Sequence, residues 1–431
     1  MLKGSLITIP LLIFIGISTI GAANTVPLTN LTNDCKPLIN KSLEIKNASL
    51  IALSKRAYKR INRALEKLGE EKYNEAIDLL EKLFNSSKNK YTQSTAAKYL
   101  GIAYSRQAKN IQATAFFEKS LELGAGYFQH KELQNLTQNV ALMHYSLDNK
   151  PQALKFFERW MKNSNVDNEQ IYLLYADTLA NSGKINSSIC PAYWSAKVGK
   201  TPHKNALNIL LNSHYQLKEF TGAIEILKQL ILDFPEEKRY WRNLASIYAS
   251  QDMLQDALVV MEMFYVQGLM ETENDYMLLS RMFAYNNIPY RTAVILKEGI
   301  DRGHVKDNDK NWKDIGENFH VAGELKEAII AYGRSADKTN VGDMDLKRAE
   351  LLADDENFEQ AVVVFDKALL KGSLQDPGKA YFRKGLAQYE LKNYDQAIST
   401  LQEAKKYINW RSKARQWANY IKGIKGQVAS L

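Results

Sequence analysis

Six histidines and two cysteines carry the widest chemical range in this chain, and their spacing decides what they can do. His130, His144, His203, His214, His304 and His320 are scattered, and no two stand at the short spacing of a zinc-ligating pair. Cys35 and Cys190 are too few for a four-cysteine zinc site or a disulfide-rich scaffold. In an oxidising compartment they could close one disulfide; as two free or separately buried thiols they would do no chemistry without a partnering base. Asp307-x-Asp309-x-Asn311 opens like a calcium loop, but Trp312 stands where the turn glycine belongs and Asn318 where a bidentate glutamate would close the shell. The chain has no G-x4-G-K phosphate loop, no H-E-x-x-H and no G-x-S-x-G nucleophile elbow. A non-enzymatic protein without cofactor or metal is expected.

The elements that would position any site must come from a chain of 431 residues, 45% hydrophobic and 24% charged, which is enough apolar surface to build a core. Wholesale disorder, collagen and a multi-span membrane protein are unsupported by that composition. A formal net charge of +9 favours acidic partners or membrane surfaces.

Lys3 opens an uncharged run from Gly4 to Ala23 with an apolar centre, Leu11-Leu12-Ile13-Phe14-Ile15, and small residues, Gly21-Ala22-Ala23, at its end. That layout predicts a secretory signal peptide over residues 1–23, cut after Ala23, and hence an exported protein. Retention of the run as an anchor is the alternative, disfavoured by Pro10, Gly16, Ser18 and Thr19. Residues 24–54 form a polar, Asn-rich lead-in, expected to be extended or partly ordered.

From Lys55 onward the apolar residues recur with helical periodicity. Small residues return at Ala76, Ala113, Ala153, Ser188, Ala223, Ala257, Ala293, Ala328, Ala361 and Ala397, at spacings of 33 to 40 residues. The clearest copies read Trp241-x2-Leu244-Ala245-x2-Tyr248-x8-Ala257-x3-Met261-x2-Phe264 and Trp312-x2-Ile315-Gly316-x2-Phe319-x8-Ala328-x3-Tyr332. A third is Leu100-Gly101-x2-Tyr104-x8-Ala113-x3-Phe117. Each copy predicts two short helices, with a small residue on each where the backbones must close to about 8–10 Å. Pro151 and Pro289 fit the starts of second helices, and Pro235 closes a repeat. Pro191 falls inside a second helix, where a kink or late start is expected. Trp410 to Lys425 reads as a further helix that covers the last apolar face.

These copies resemble the tetratricopeptide repeat. The resemblance implies an all-α, right-handed superhelix of about ten repeats over residues 55–408, with a capping helix and tail over 409–431. It further implies a concave face made by the first helices, whose inward residues would be Gln138, Tyr145, Asp177, Asn208, Asn212, Tyr215, Arg242, Ser246, Tyr285, Lys313, Glu317, His320 and Tyr389. Asparagines suit an extended peptide backbone, tyrosines give flat contact area, and Arg242 or Lys313 would hold a carboxylate. The set lacks the full carboxylate-clamp pattern of chaperone-binding members, so capture of a partner's C-terminus is not expected.

Basic residues crowd both ends of the repeats: Lys55, Arg56, Lys59, Arg60 and Arg63 at the start, Lys405, Lys406, Arg411, Lys413, Arg415, Lys422 and Lys425 at the close. They are a solvated face or a docking surface for anionic headgroups or an acidic partner. Nucleic acid is not an expected partner of an exported chain. Asn-x-Ser/Thr triplets include those that begin at Asn30, Asn47, Asn85, Asn135 and Asn186, which matter only in a eukaryotic secretory pathway.

Four stretches go beyond the generic repeat: Phe156 to Met161, Asp233 to Trp241, Asn287 to Tyr290 and Ala414 to Ile421. With the export signal and basic flanks, the chain resembles the periplasmic tetratricopeptide proteins that accompany TonB-type energy-transducing systems. That implies a periplasmic scaffold beside TonB, ExbB and ExbD in iron-chelate uptake. A general envelope-assembly, secretion or polysaccharide-export factor is the alternative.

Overall fold

The structure is a computed structural model that describes residues 35–45, 48, 51–199 and 203–429. The expected signal peptide and the first part of the lead-in lie outside these residues. All regular structure among the described residues is α-helical, in 21 helices. The chain divides into two compact units, residues 1–233 and 234–431.

The first unit holds α1 (Lys55–Gly69), α2 (Tyr73–Ser86), α3 (Lys90–Arg106), α4 (Asn110–Gly124) and α5 (His130–Ser146). It continues with α6 (Lys150–Lys162), α7 (Glu169–Ala180), α8 (Ile185–Val198), α9 (Lys204–Gln216) and α10 (Phe220–Asp233). The second holds α11 (Lys238–Ser250), α12 (Leu254–Val266), α13 (Glu273–Tyr285), α14 (Pro289–Asp301), α15 (Asp309–Val321) and α16 (Leu325–Ala336). It closes with α17 (Asp343–Asp354), α18 (Phe358–Lys371), α19 (Pro377–Glu390), α20 (Tyr394–Ala404) and α21 (Arg411–Ala429). Odd-numbered helices up to α19 are the first members of pairs, and each packs on the even-numbered helix that follows.

The pairs close where the small residues stand. Ala76, Ala113, Ala153, Ser188, Ala223, Ala257, Ala293, Ala328, Ala361 and Ala397 all lie on second helices and are fully buried. On the first helices, a Cβ added at Gly101 would lie 2.6 Å from the Phe117 ring, and one at Gly316 2.9 Å from the Tyr332 ring. Both aromatic rings are buried, so they have no room to retreat.

The turn inside each pair is also repeated. Glu71, Ala108, Asp148, Gly183, Lys218, Asp252, Asn287, Gly323, Glu356 and Lys392 all have φ between 53° and 80°, and each stands shortly before its pair's small residue. The next amide reaches back to the last turn of the first helix, as from Lys109 N–H to the Tyr104 carbonyl at 3.0 Å and from Asn149 N–H to that of His144 at 2.9 Å. These bonds satisfy carbonyls that a helix end leaves open.

First helices tend to be capped by side chains: Ser54, Asn89, Asn168, Thr272, Asn308 and Asp376 each accept an amide of the first turn. Asp307, in the segment that opens like a calcium loop, accepts the Trp312 indole at 2.5 Å and the Lys338 ammonium at 2.8 Å just before α15. Pro289 stands at the start of α14 and Pro151 in the first turn of α6. The late start expected at Pro191 is not found: α8 begins at Ile185 and runs through the proline to Val198. Ser188, one turn ahead, stays fully buried and shares a 2.9 Å hydrogen bond with Ser213 of α9.

The described lead-in is a strap along the first unit. Cys35 is disulfide-bonded to Cys190 on α8, and the Lys36 carbonyl accepts the Trp194 indole N–H at 3.0 Å. Ile39 is buried in the core that α4 to α7 share. Lys41 pairs with Asp167 at 3.0 Å, and the Ala48 carbonyl accepts the Gln129 side chain at 2.8 Å. At the other end of the chain α21 buries Ala414, Ala418 and Ile421 against Phe382, Ala397 and Leu401.

Candidate functional site

First helices of successive pairs are neighbours within each unit, and polar side chains bridge them. In the first unit Lys98 on α3 pairs with Glu132 on α5 at 2.6 Å, and the Tyr145 hydroxyl on α5 donates to Asp177 on α7 at 2.8 Å. In the second unit the Arg242 guanidinium on α11 forks onto Asp275 of α13 at 2.7 and 2.9 Å. Lys347 on α17 reaches back to Glu317 on α15 at 2.6 Å, while Lys379 on α19 reaches Glu350 on α17 at 2.6 Å. Arg383 pairs with Asp354 between the same two helices. Each bridge joins first helices of adjacent repeats.

Two bridges have consequences for titration. Burial and then the hydrogen bond to Asp177 push the Tyr145 phenol up to about 12, so it is a neutral donor at physiological pH. Asp275 is 1% exposed. Burial alone would raise its carboxyl, but Arg242, the Thr272 hydroxyl and the amides of Glu271 and Thr272 hold it below its ordinary value. The same carboxylate completes the capping box of α13.

The thirteen sequence-predicted residues divide by what they touch. In the first unit Gln138 is half-buried on α5, and Tyr145 and Asp177 meet. Asn208, Asn212 and Tyr215 follow one another at one-turn spacing on α9. Asn212 is exposed, and Tyr215 is 57% exposed with its ring edge-on to Phe220. In the second unit the carboxylate that Arg242 holds is the protein's own Asp275, and Ser246 lies exposed one turn further along α11. Tyr285 ends α13 and is 75% exposed. Lys313 lies 4.0 Å from Glu317, which is shared with Lys347. His320 is exposed at the rim of a cleft of about 420 Å³, whose walls include Tyr332, Lys347, Asp354 and Arg383. Lys313 borders a neighbouring cleft of about 450 Å³ that reaches Gln375 and Lys379. Tyr389 packs against Trp417 and Tyr420 of α21, with ring centroids 5.8 and 6.1 Å away, so the cap covers part of it.

Lys347, Glu350, Asp354, Lys379 and Arg383, absent from the sequence-predicted set, form most of the walls of the cleft at His320. Lys347-x2-Glu350-x3-Asp354 and Lys379-x3-Arg383 have the spacing of one helix face, and that signal was available. Two conspicuous histidines have packing roles. His144 is buried, stacks on Phe156 at 5.6 Å and meets Glu118 at 2.9 Å, while buried His214 meets Glu219 at 2.8 Å. Among the described residues no three histidine, cysteine, aspartate or glutamate side chains are grouped to hold a metal ion. None of the described helices is long and apolar enough to cross a membrane.

Antiparallel helix pairs, each locked by a small residue and a left-handed turn, define a helical-repeat protein. The family model described as tetratricopeptide repeat matches residues 210–263 and 346–410, and the chain carries that repeat there. No curated protein matches. Among solved structures the chain is similar to a tetratricopeptide repeat protein from Parabacteroides merdae, with 14% identity and a TM-score of 0.35 over 63% of this chain and 100% of that one. It is also similar to YrrB, described as having an unusual peptide-binding site, with 17% identity and a TM-score of 0.32 over 47% of this chain and 100% of that one. A third likeness is to the TPR2AB domain of yeast Sti1, solved as a complex with pHSP90, at 18% identity and a TM-score of 0.30 over 59% of this chain and 96% of that one.

Proposed function

We propose that the protein is a non-enzymatic scaffold that holds a polypeptide partner across its first helices, working in the periplasm as an accessory of a TonB–ExbB–ExbD iron-uptake system. The observation that carries the scaffold reading is the division of labour on those helices. Bridges such as Tyr145–Asp177 and Lys347–Glu317 join neighbouring first helices within each unit, while Asn212, Tyr215, Tyr285 and His320 stand exposed on first helices. Exposed tyrosines and asparagines on rigid helices give contact area and backbone-directed hydrogen bonds at little entropic cost. The Cys35–Cys190 disulfide supports an oxidising compartment, consistent with an exported chain. The TonB assignment rests on the resemblance of the four sequence stretches.

The test is a crosslinking pull-down from iron-starved cells, comparing wild type with a Tyr215→Ala/Lys313→Ala variant. Recovery of TonB-system proteins by wild type, and their loss from a variant with an unchanged circular dichroism spectrum, is the expected result. Recovery of a secretion or polysaccharide-export machine instead would retain the scaffold and overturn the TonB role. Equal recovery by both proteins would remove these residues from the binding surface.

A further inference from the structure

The first helix of the array carries charge that the described carboxylates do not pair. Lys55, Arg56, Lys59, Arg60 and Arg63 fall within nine residues of α1, on an arc of about 140° at 100° per residue. The opposite side buries Ala57, Ile61 and Ala64. None of the five cations makes an ion pair with a described carboxylate, whereas Lys67 on the same helix pairs with Glu70 and Glu75.

Two effects make this arrangement unfavourable by itself. Lys55–Lys59, Arg56–Arg60 and Lys59–Arg63 are like-charged neighbours one turn apart. Lys55 and Arg56 also sit in the first turn, at the positive end of the helix dipole, where no acidic residue stands. An external anionic layer would relieve both. The surroundings suit such a layer: Tyr58 is 58% exposed on α1 and Ile51 is 40% exposed just ahead of it. Beside them is a cleft of about 770 Å³ whose walls include Arg56, Arg60, Lys82, Asn85, Ser87 and Thr92. Cations on long, unfixed side chains, flanked by an exposed aromatic and an exposed aliphatic group, match a fluid array of phosphates better than one fixed set of carboxylates.

We infer that α1 docks the protein onto an anionic phospholipid surface, with Arg56 and Arg60 taking headgroup phosphates at the cleft and Lys55, Lys59 and Arg63 extending the contact. The test is co-sedimentation of the full chain with phosphatidylglycerol/phosphatidylcholine vesicles and with phosphatidylcholine vesicles alone. The leader with Lys3 and the apolar run Leu11-Leu12-Ile13-Phe14-Ile15 is common to wild type and every variant, so a change in anionic preference between wild type and a variant isolates the charges removed. Three variants are compared with wild type: Arg56, Lys59, Arg60 and Arg63 all changed to Gln; Lys59→Gln/Arg63→Gln alone; and a control with Arg411, Lys413, Arg415 and Lys422 changed to Gln.

The expected result is that wild type prefers the anionic vesicles, that the quadruple α1 variant loses that preference by about tenfold or more, that the double variant loses an intermediate share, and that the control changes by less than about twofold. The double variant removes only exposed side chains and keeps the cleft, so it reads the charge even if the quadruple variant is unstable. Equal loss in the α1 and α21 variants would reduce the effect to net charge and overturn the proposal. So would the absence of any preference for anionic vesicles, or α1-dependent binding of polyglutamate without it. The readout needs no protein partner, so its failure leaves the scaffold reading untouched.

Discussion

The Tyr145 hydroxyl lies 2.8 Å from an Asp177 carboxylate oxygen, joining residues of α5 and α7 that are one repeat apart. Arg242 and Asp275 make the corresponding join from α11 to α13, and Lys347 and Glu317 from α17 to α15. Such bridges need no core of their own, because the helix pairs beneath them are already locked. They hold neighbouring first helices at fixed spacing, which is what a surface built from several repeats requires.

Arg242→Ala is expected to cost about 1.5–3 kcal/mol in urea unfolding, since it removes the two charge-assisted hydrogen bonds on the buried Asp275 carboxylate and leaves it only the Thr272 hydroxyl and the amides of Glu271 and Thr272. Asp275 is held below its ordinary value, so its contribution is present above the unfolded aspartate range and is lost as pH falls through the lower folded value. The gap between wild type and Arg242→Ala should therefore narrow below about pH 4. A gap that is constant with pH would mean that the pair is not the source.

Tyr145→Phe is expected to remove about 0.5–1.5 kcal/mol at neutral pH, the worth of one hydrogen bond to a partly exposed carboxylate. Because the phenol is raised to about 12, the contribution is full below the ordinary tyrosine value near 10 and is lost as pH rises through about 12. Unfolding curves of the two proteins that already coincide at pH 7 would contradict this.

Eight of the ten repeat turns place a non-glycine residue in the left-handed region. Ala108, at φ 58° and exposed, is one of them, and Ala108→Gly is expected to stabilise by about 0.5–1 kcal/mol. The reverse change at Gly323, φ 80°, is expected to destabilise by a similar or larger amount. Equal signs for the two variants in thermal melts would show that the turns do not carry this strain.

Cys35→Ser is expected to destabilise the first unit by about 2–5 kcal/mol, because the disulfide closes a separation of 155 residues. Wild type purified without reductant should show no thiol titratable under denaturing conditions. Two titratable thiols and an unchanged melting temperature in the variant would remove the strap from the account.

What the sequence disclosed follows from what repeats itself. The alanines from Ala76 to Ala397, Gly101 and Gly316 were legible because close approach of two helices demands a small residue at a fixed place in every copy. The left-handed turns keep the same frame but accept Glu, Ala, Asp, Lys and Asn, so no residue type marks them. The lead-in was legible only as polar, and its attachment depends on single contacts such as Trp194 with the Lys36 carbonyl, which no period announces. Arg242 was recognised as a carboxylate holder, yet its ligand, Asp275, lies one repeat away. The stretches behind the TonB resemblance turn out to include packing positions: Phe156, Phe157, Trp160 and Met161 are buried, and Trp241 donates to the Pro235 carbonyl at 2.8 Å.

The central claim is that a protein partner lies on the first helices. Site-specific photocrosslinking in living cells tests it most directly, with a photoreactive phenylalanine analogue at positions 215, 285 and 320 and, as controls on second helices, at the exposed positions 111 and 363. One common polypeptide, identified by mass spectrometry, should be crosslinked from the first-helix positions and not from the controls. Crosslinks confined to positions 111 and 363, or none from 215, 285 and 320, would contradict the account.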